Sequence, residues 1–219
     1  MNTVNEQAAR PPKLQTMFEE MQRIAGDDPH RPGVAQQLAA VIKKAIADPQ
    51  VRQYLRDATA DNPDLYGSMK DPGLGIMGVH SAKIGYREPH DHGDCWAINV
   101  QVAGKLRLVH WTQDGVDPAT GKVRLRKLDE VLMGPGDVDC SPPGVAHELY
   151  PETDDSIELA VRCHSLASII QNRYDRSNGV HIRWSWGQKK AIESGAFEVV
   201  GEAGVNALPP GEAMTARVK

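Results

Sequence analysis

"EPHDHGDCWAINVQVAG", residues 88–104, decides how this chain is to be read. His90 and His92 stand one residue apart, just ahead of an apolar, alternating run that closes at Gly104. On a strand, positions i and i+2 send their side chains to the same face, so two imidazoles can share one ion. Taken alone, such a pair is more often a polar strand start with both rings in water, because short motifs recur by chance.

A second stretch changes that balance. "GPGDVDCSPPGVAHELYP", residues 134–151, opens a strand behind Gly136, turns sharply at Pro142-Pro143-Gly144 and presents His147 directly afterwards. An antiparallel barrel can lay this strand against the one carrying His90 and His92, and three imidazoles then converge on the lumen.

The surrounding periodicity supports a barrel. From Gly75 onward, "GIMGVHSAKIGY", "WAINVQV", "KLRLVHW", "KVRLRKL" and "SIELAVRC" alternate with a period of two, several of them bounded by Gly, Pro or Asp turns. Residues 112–122, "TQDGVDPATGK", read as a hairpin loop. Beyond residue 165 the signals weaken to one further strand, "GVHIRWSW", and a loose tail. Ahead of Gly75 the period is helical. Leu14, Met17, Phe18, Met21 and Ile24 form one stripe, Val34, Leu38, Val41, Ile42 and Ile46 a second, and Val51, Tyr54, Leu55 and Ala58 a shorter third. The expected organisation is a leader with two or three helices over 1–74 that pack on the barrel, a barrel over 75–165 that holds the site, and an extension over 166–219.

Length and charge set the outer limits. The 219 residues can bury a core without staples, and the net charge of −4 is spread among mixed signs, which argues against a nucleic-acid partner. No apolar run approaches the roughly 18 residues that suggest a membrane span. The N-terminus lacks an apolar core of signal-peptide length, and the three cysteines, Cys95, Cys140 and Cys163, include no CxxC pair. A reduced, cytoplasmic setting is the expectation. His30 in an interhelix turn and His110 and His181 on outer strands read as surface or hydrogen-bonded residues, His80 and His164 are undecided, and Trp96 and Trp111 read as core or pocket wall.

The two histidine stretches together resemble the cupin family. Gly85, His90, His92, Ala97 and Gly104 follow the first cupin motif with one residue missing between Gly85 and His90, and Gly136, Pro142, Gly144 and His147 match the second without a gap. The resemblance implies a mainly β fold, the cupin double-stranded β-helix barrel, with His90, His92 and His147 on one divalent metal. Most cupins supply a glutamate ligand where this chain has Ala97, so the implied ligand set is three neutral imidazoles. That leaves the dication uncompensated and positions open for dioxygen or an anionic substrate. Fe(II) is the expected ion, while Zn, Ni, Mn or Cu also suit such ligands.

Within cupins, "PHDHGDCWA" is similar to the thiol dioxygenases, the cysteine and mercaptopropionate dioxygenase group, which join both atoms of dioxygen to a substrate sulfur. Two departures matter. The cysteine of the animal-type crosslink is replaced by Ala97, and Cys95, two residues earlier, would share its strand face if the strand is regular. The family's outer Ser-x-His-x-Tyr segment falls at Ser156, Glu158 and Ala160, which argues against cysteine itself as substrate. Glu158 is then a proton acceptor or a solvated strand residue. A substrate carboxylate needs a cation, for which Arg162 is preferred over Arg87, Lys83 and Lys70 because it lies on a barrel strand. The implied activity is oxidation of a small, carboxylate-bearing thiol. Cleavage of a diketone or hydroxyketone, or a non-enzymatic metal- or ligand-binding role, remain alternatives. Cupins often pair through their sheets, which implies a homodimer.

Overall fold

The computed structural model describes residues 10–61 and 74–201. It opens with three helices, α1 (Pro12–Ala25), α2 (Val34–Ile46) and α3 (Pro49–Asp61). Their stripes are the expected ones, and Leu14, Met17, Met21, Leu38, Ile42, Ile46, Val51 and Leu55 are all buried. The proline that stops α2 begins α3, where its missing N–H costs nothing.

The remaining chain is β1 (Gly75–Val79), the one-turn α4 (Ser81–Ile84), β2 (Arg87–His90), β3 (Ala97–Ala103), β4 (Leu106–Val116), β5 (Val123–Met133), β6 (Val138–Ser141), β7 (Val145–Pro151), β8 (Ile157–Arg162), β9 (Ile170–Asp175), β10 (Val180–Ser185) and β11 (Lys190–Val200). One sheet has the order β1-β8-β3-β6. The other strands form a closed ring in the order β10-β11-β5-β4-β7-β2-β9. The fold is therefore the expected mainly β barrel preceded by helices.

Strand alternation distributes the side chains. On β3, Ile98, Val100 and Val102 join the apolar cluster built by α1–α3, β1 and β8, while Ala97 and Asn99 face the opposite way into a cavity. The helices thus cover the outer face of the four-stranded sheet. In the ring, β7 and the first half of β4 are buried on both faces. Leu106, Leu108 and Leu149 pack on one side with Met133, and Val109, Trp111 and Ala146 pack on the other with Tyr174 and Phe197. Glu148 points into the second core, where its carboxylate receives Tyr86 and Tyr150 hydroxyls at 2.6 and 2.7 Å, Trp111 Nε1–H at 3.0 Å and Arg176 at 3.0 Å. Four donors explain how a carboxylate with no exposed surface is tolerated.

Three expectations are corrected. The hairpin loop is shorter than 112–122, because β4 continues to Val116. The weak C-terminal stretch contributes three strands rather than one, and β9 and β11 close the ring by pairing with β2 and β5. The cysteines are not three thiols. Cys95 and Cys163 form a disulfide across 68 residues of sequence, because the register Ala97↔Arg162 sets the start of β3 beside the end of β8. Cys95 lies in the turn before β3 and faces the helices, so it does not share the face of Ala97. Among the described residues, no helix is long and apolar enough to cross a membrane.

Candidate metal centre

His90 ends β2, His92 follows it in the turn, and His147 lies on β7 directly opposite His90 in register. The tight turns on either side are glycine-dependent. Gly93 has φ +64°, a Cβ there would meet the Ile170 carbonyl at 2.8 Å, and its own carbonyl accepts the Gly144 N–H at 3.1 Å. One hydrogen bond thus joins the two motif loops. Between the two histidines, Asp91 is buried and turned the other way. It accepts from the Asn172 backbone N–H at 2.9 Å, the Asn172 amide at 2.8 Å and the Gly93 N–H at 2.9 Å. The central residue of His-Asp-His is therefore a staple to β9, and both imidazoles are left facing the cavity.

The donor set fits a metal ion. His147 Nε2 lies 3.3 Å from Nε2 of both His90 and His92, and ligand atoms of all three fall within 4.8 Å of one another. Two nitrogens about 2.1 Å from one ion, roughly 90–110° apart, are separated by about 3.0–3.4 Å. The far nitrogens are engaged by protein: His90 Nδ1–H donates to the Glu88 carbonyl at 2.8 Å, and His147 Nδ1 has Ser141 Oγ and the Asn99 amide nitrogen each at 3.3 Å. Burial pushes His90 down to about 4 and His92 and His147 well below the usual imidazole range. All three are neutral at pH 7, with lone pairs available.

These rings stand at the wall of a cavity of about 510 Å³, which Ala97, Asn99, Glu158, Arg162, Arg87, Arg173 and Trp186 also line. Ala97 brings only a methyl group to that wall and offers no ligand atom. Glu158 is fully buried, which removes the reading of a solvated strand residue. Its Oε1 is ion-paired with Arg87, and its Oε2 is buried without a hydrogen-bond partner among the described residues. Arg162 is 6% exposed and faces the same cavity. Lys83 is exposed on α4, and Lys70 lies outside the described residues. Sequence reasoning missed Asp91, Gln171 and Arg173. Asp91 sits inside the motif itself, whereas Gln171 and Arg173 belong to a strand whose pairing with β2 leaves no local signal.

Of the two readings of His110, surface or hydrogen-bonded, the structure gives the second. The ring is buried between Asp129 of β5, at 2.5 Å, and Asp139 of β6, at 3.0 Å. Burial opposes its charge, but the bonds to Asp129 and Asp139 outweigh that and raise it to about 10, so the ring is an imidazolium.

No family model matches the chain, and no curated protein matches it. Among solved structures it is similar to a point mutant of Bacillus subtilis oxalate decarboxylase, at 17% identity and TM-score 0.33, over 46% of this chain and 23% of that one. It is similar to the vicilin of Solanum melongena, at 15% and 0.35, over 47% and 26%. A hydroquinone 1,2-dioxygenase in complex with Cd²⁺ and 4-hydroxybenzonitrile overlaps at 12% and 0.32, over 41% and 56%. The chain thus spans 23 to 56% of those chains. With every TM-score below 0.5, these overlaps carry neither a family nor an activity to this chain.

Proposed function

We propose that the chain is a non-haem iron(II) dioxygenase that oxidises a small, carboxylate-bearing thiol to its sulfinate. The observation that carries this reading is the charge pattern of one cavity. Three neutral imidazoles converge there, Ala97 contributes no carboxylate, and Arg162 and Arg173 stand in the same wall. A bound dication keeps its full charge in such a site, which favours an anionic substrate. Iron(II), when bound, supplies the redox chemistry that joins dioxygen to sulfur.

The protein groups divide the remaining work. Arg162 and Arg173 can hold the substrate carboxylate, where the guanidinium fork suits two oxygens. Glu158 Oε2, buried and unpartnered, can accept the thiol proton, while Arg87 fixes the other oxygen. Apolar wall residues such as Met77 and Val79 exclude water around the sulfur. The net reaction, thiolate plus dioxygen to sulfinate, balances without a further reductant.

Oxygen uptake by anaerobically iron-loaded protein tests the proposal across thiols with and without a carboxylate, and across diketones. The expected result is uptake with a carboxylate-bearing thiol and one sulfinate formed per dioxygen. His147→Ala should lose most of the metal and the uptake together. Uptake with diketones alone would assign carbon–carbon cleavage instead, and none with either class would leave a binding module.

A further inference from the structure

Outside the cavity, three side chains able to ligate a metal, His30, Cys163 and His164, meet on the helix-covered side of β3 and β8, and Cys95 joins them through its disulfide to Cys163. His30 comes from the turn between α1 and α2, Cys95 from the turn before β3, and Cys163 and His164 directly follow β8. Ligand atoms of His30, Cys163 and His164 lie within 4.8 Å of one another. The two imidazoles face each other through Nε2, with ring centroids 4.4 Å apart, and Cys95 Sγ is bonded to Cys163 Sγ.

The surroundings hold these groups in place. Trp96 Nε1–H donates to the Pro29 carbonyl at 2.8 Å, and Asp28 Oδ1 accepts the His30 N–H at 3.0 Å, so the helical turn is tied to the strand that follows Cys95. The Cys163 N–H is directed at Cys95 Sγ at 3.0 Å. A backbone N–H on sulfur stabilises a thiolate and orients it as a ligand. Both sulfurs are buried, Cys95 at 2% and Cys163 at 0%, whereas His30 is exposed and borders a cleft of about 520 Å³ that leads to solvent.

We propose that, once Cys95 and Cys163 are reduced, these four side chains form a second metal site, a closed two-cysteine, two-histidine zinc centre, and that the disulfide is its metal-free oxidised state. An external dithiol supplies the two electrons and two protons that open the disulfide, and itself becomes a disulfide. Zinc(II) then displaces the two thiol protons to solvent. Two thiolates cancel the charge of the dication, which suits a site among buried apolar groups, and two imidazoles complete the tetrahedron that zinc prefers. With no ligand position left open, the centre is structural: it fastens the α1–α2 turn to the four-stranded sheet. The contrast with the three-histidine cavity is one of charge and of openness, and the second site stands whatever reaction the first performs.

Cobalt(II) is the probe. Full-length protein, reduced with a dithiol and stripped with a chelator, is titrated anaerobically with cobalt. Two equivalents should bind, one of them with near-ultraviolet thiolate-to-cobalt charge-transfer absorption and intense tetrahedral visible bands. The three-histidine site has no thiolate and cannot produce that absorption. His92→Ala should leave it unchanged, His30→Ala should shift the visible bands, and reoxidation should abolish it with the release of one equivalent. If the reduced wild-type chain shows no charge-transfer absorption on saturation with cobalt, the second site does not exist. That measurement needs no variant to fold.

Discussion

Gln171 sets which nitrogen of His92 carries its proton. An ion held through Nε2 requires the proton on Nδ1, and that N–H needs an acceptor. Gln171 offers its amide nitrogen to His92 Nδ1 at 3.2 Å, while its oxygen receives Trp186 Nε1–H at 2.6 Å. Two donors therefore compete for one amide oxygen as soon as metal binds. A carboxylate accepts from both, so Gln171→Glu should tighten metal binding by about 10-fold. Competition against a chromophoric chelator measures this, and an unchanged affinity would show that His92 does not bind through Nε2. At this scale the meeting of His90, His92 and His147 can be read from sequence, because each lies within a short motif that carries its own turn. Gln171, Ser141 and Asn99 cannot, since what they do depends on which strands become neighbours.

Asp91 shows how an element boundary shapes a site. Its carboxylate binds β9 through Asn172 and also caps the Gly93 turn, so the exit of β2 is held in the one conformation that aims His90 and His92 together. Asp91→Ala should weaken metal binding by about 10-fold although residue 91 touches no ion, and Asp91→Asn should recover part of the loss. Metal affinity with near-ultraviolet circular dichroism checks this, and wild-type affinity in Asp91→Ala would show that the Asp91 staple does not position the two histidines. The strands at the C-terminal end of the chain are the hardest to read. Most of β11 is exposed and β9 alternates poorly, so neither carries the apolar–polar alternation of sequence by which β3 and β8 stand out. The helices and the strands from β3 to β8 show their periods because one face of each meets a large apolar cluster.

His110 links the two sheets of the whole molecule. It belongs to β4 of the ring, Asp129 to β5 beside it, and Asp139 to β6 of the four-stranded sheet. Its folded pKa of about 10 lies above the ordinary imidazole value of 6.5, so the native state binds this proton more tightly than the unfolded chain does. The stabilisation is complete below pH 6.5 and is lost as the pH rises toward 10. Denaturant midpoints should therefore fall across that window in the wild type, and much less so in His110→Gln. An equal slope in both proteins would place the titration elsewhere. Sequence alone puts His110 on an outer strand, because a lone histidine amid an alternating run shows nothing of the carboxylates that flank it in space.

The two-faced burial of β7 bears on how this chain can change length. Alternate residues of that strand serve different interiors: His147 faces the imidazoles of His90 and His92, and Glu148 faces Trp111, Tyr86 and Arg176. Deleting Ala146 would slide Glu148 into the place of the third imidazole and drive His147 into the aromatic core, exchanging both sets in one step. Substitutions in β7 can be absorbed one side chain at a time. A single-residue indel there would strike the three-histidine cavity and the second core together, so length variation among any descendants of this sequence should fall in the Asp117–Lys122 turn and not between Val145 and Pro151.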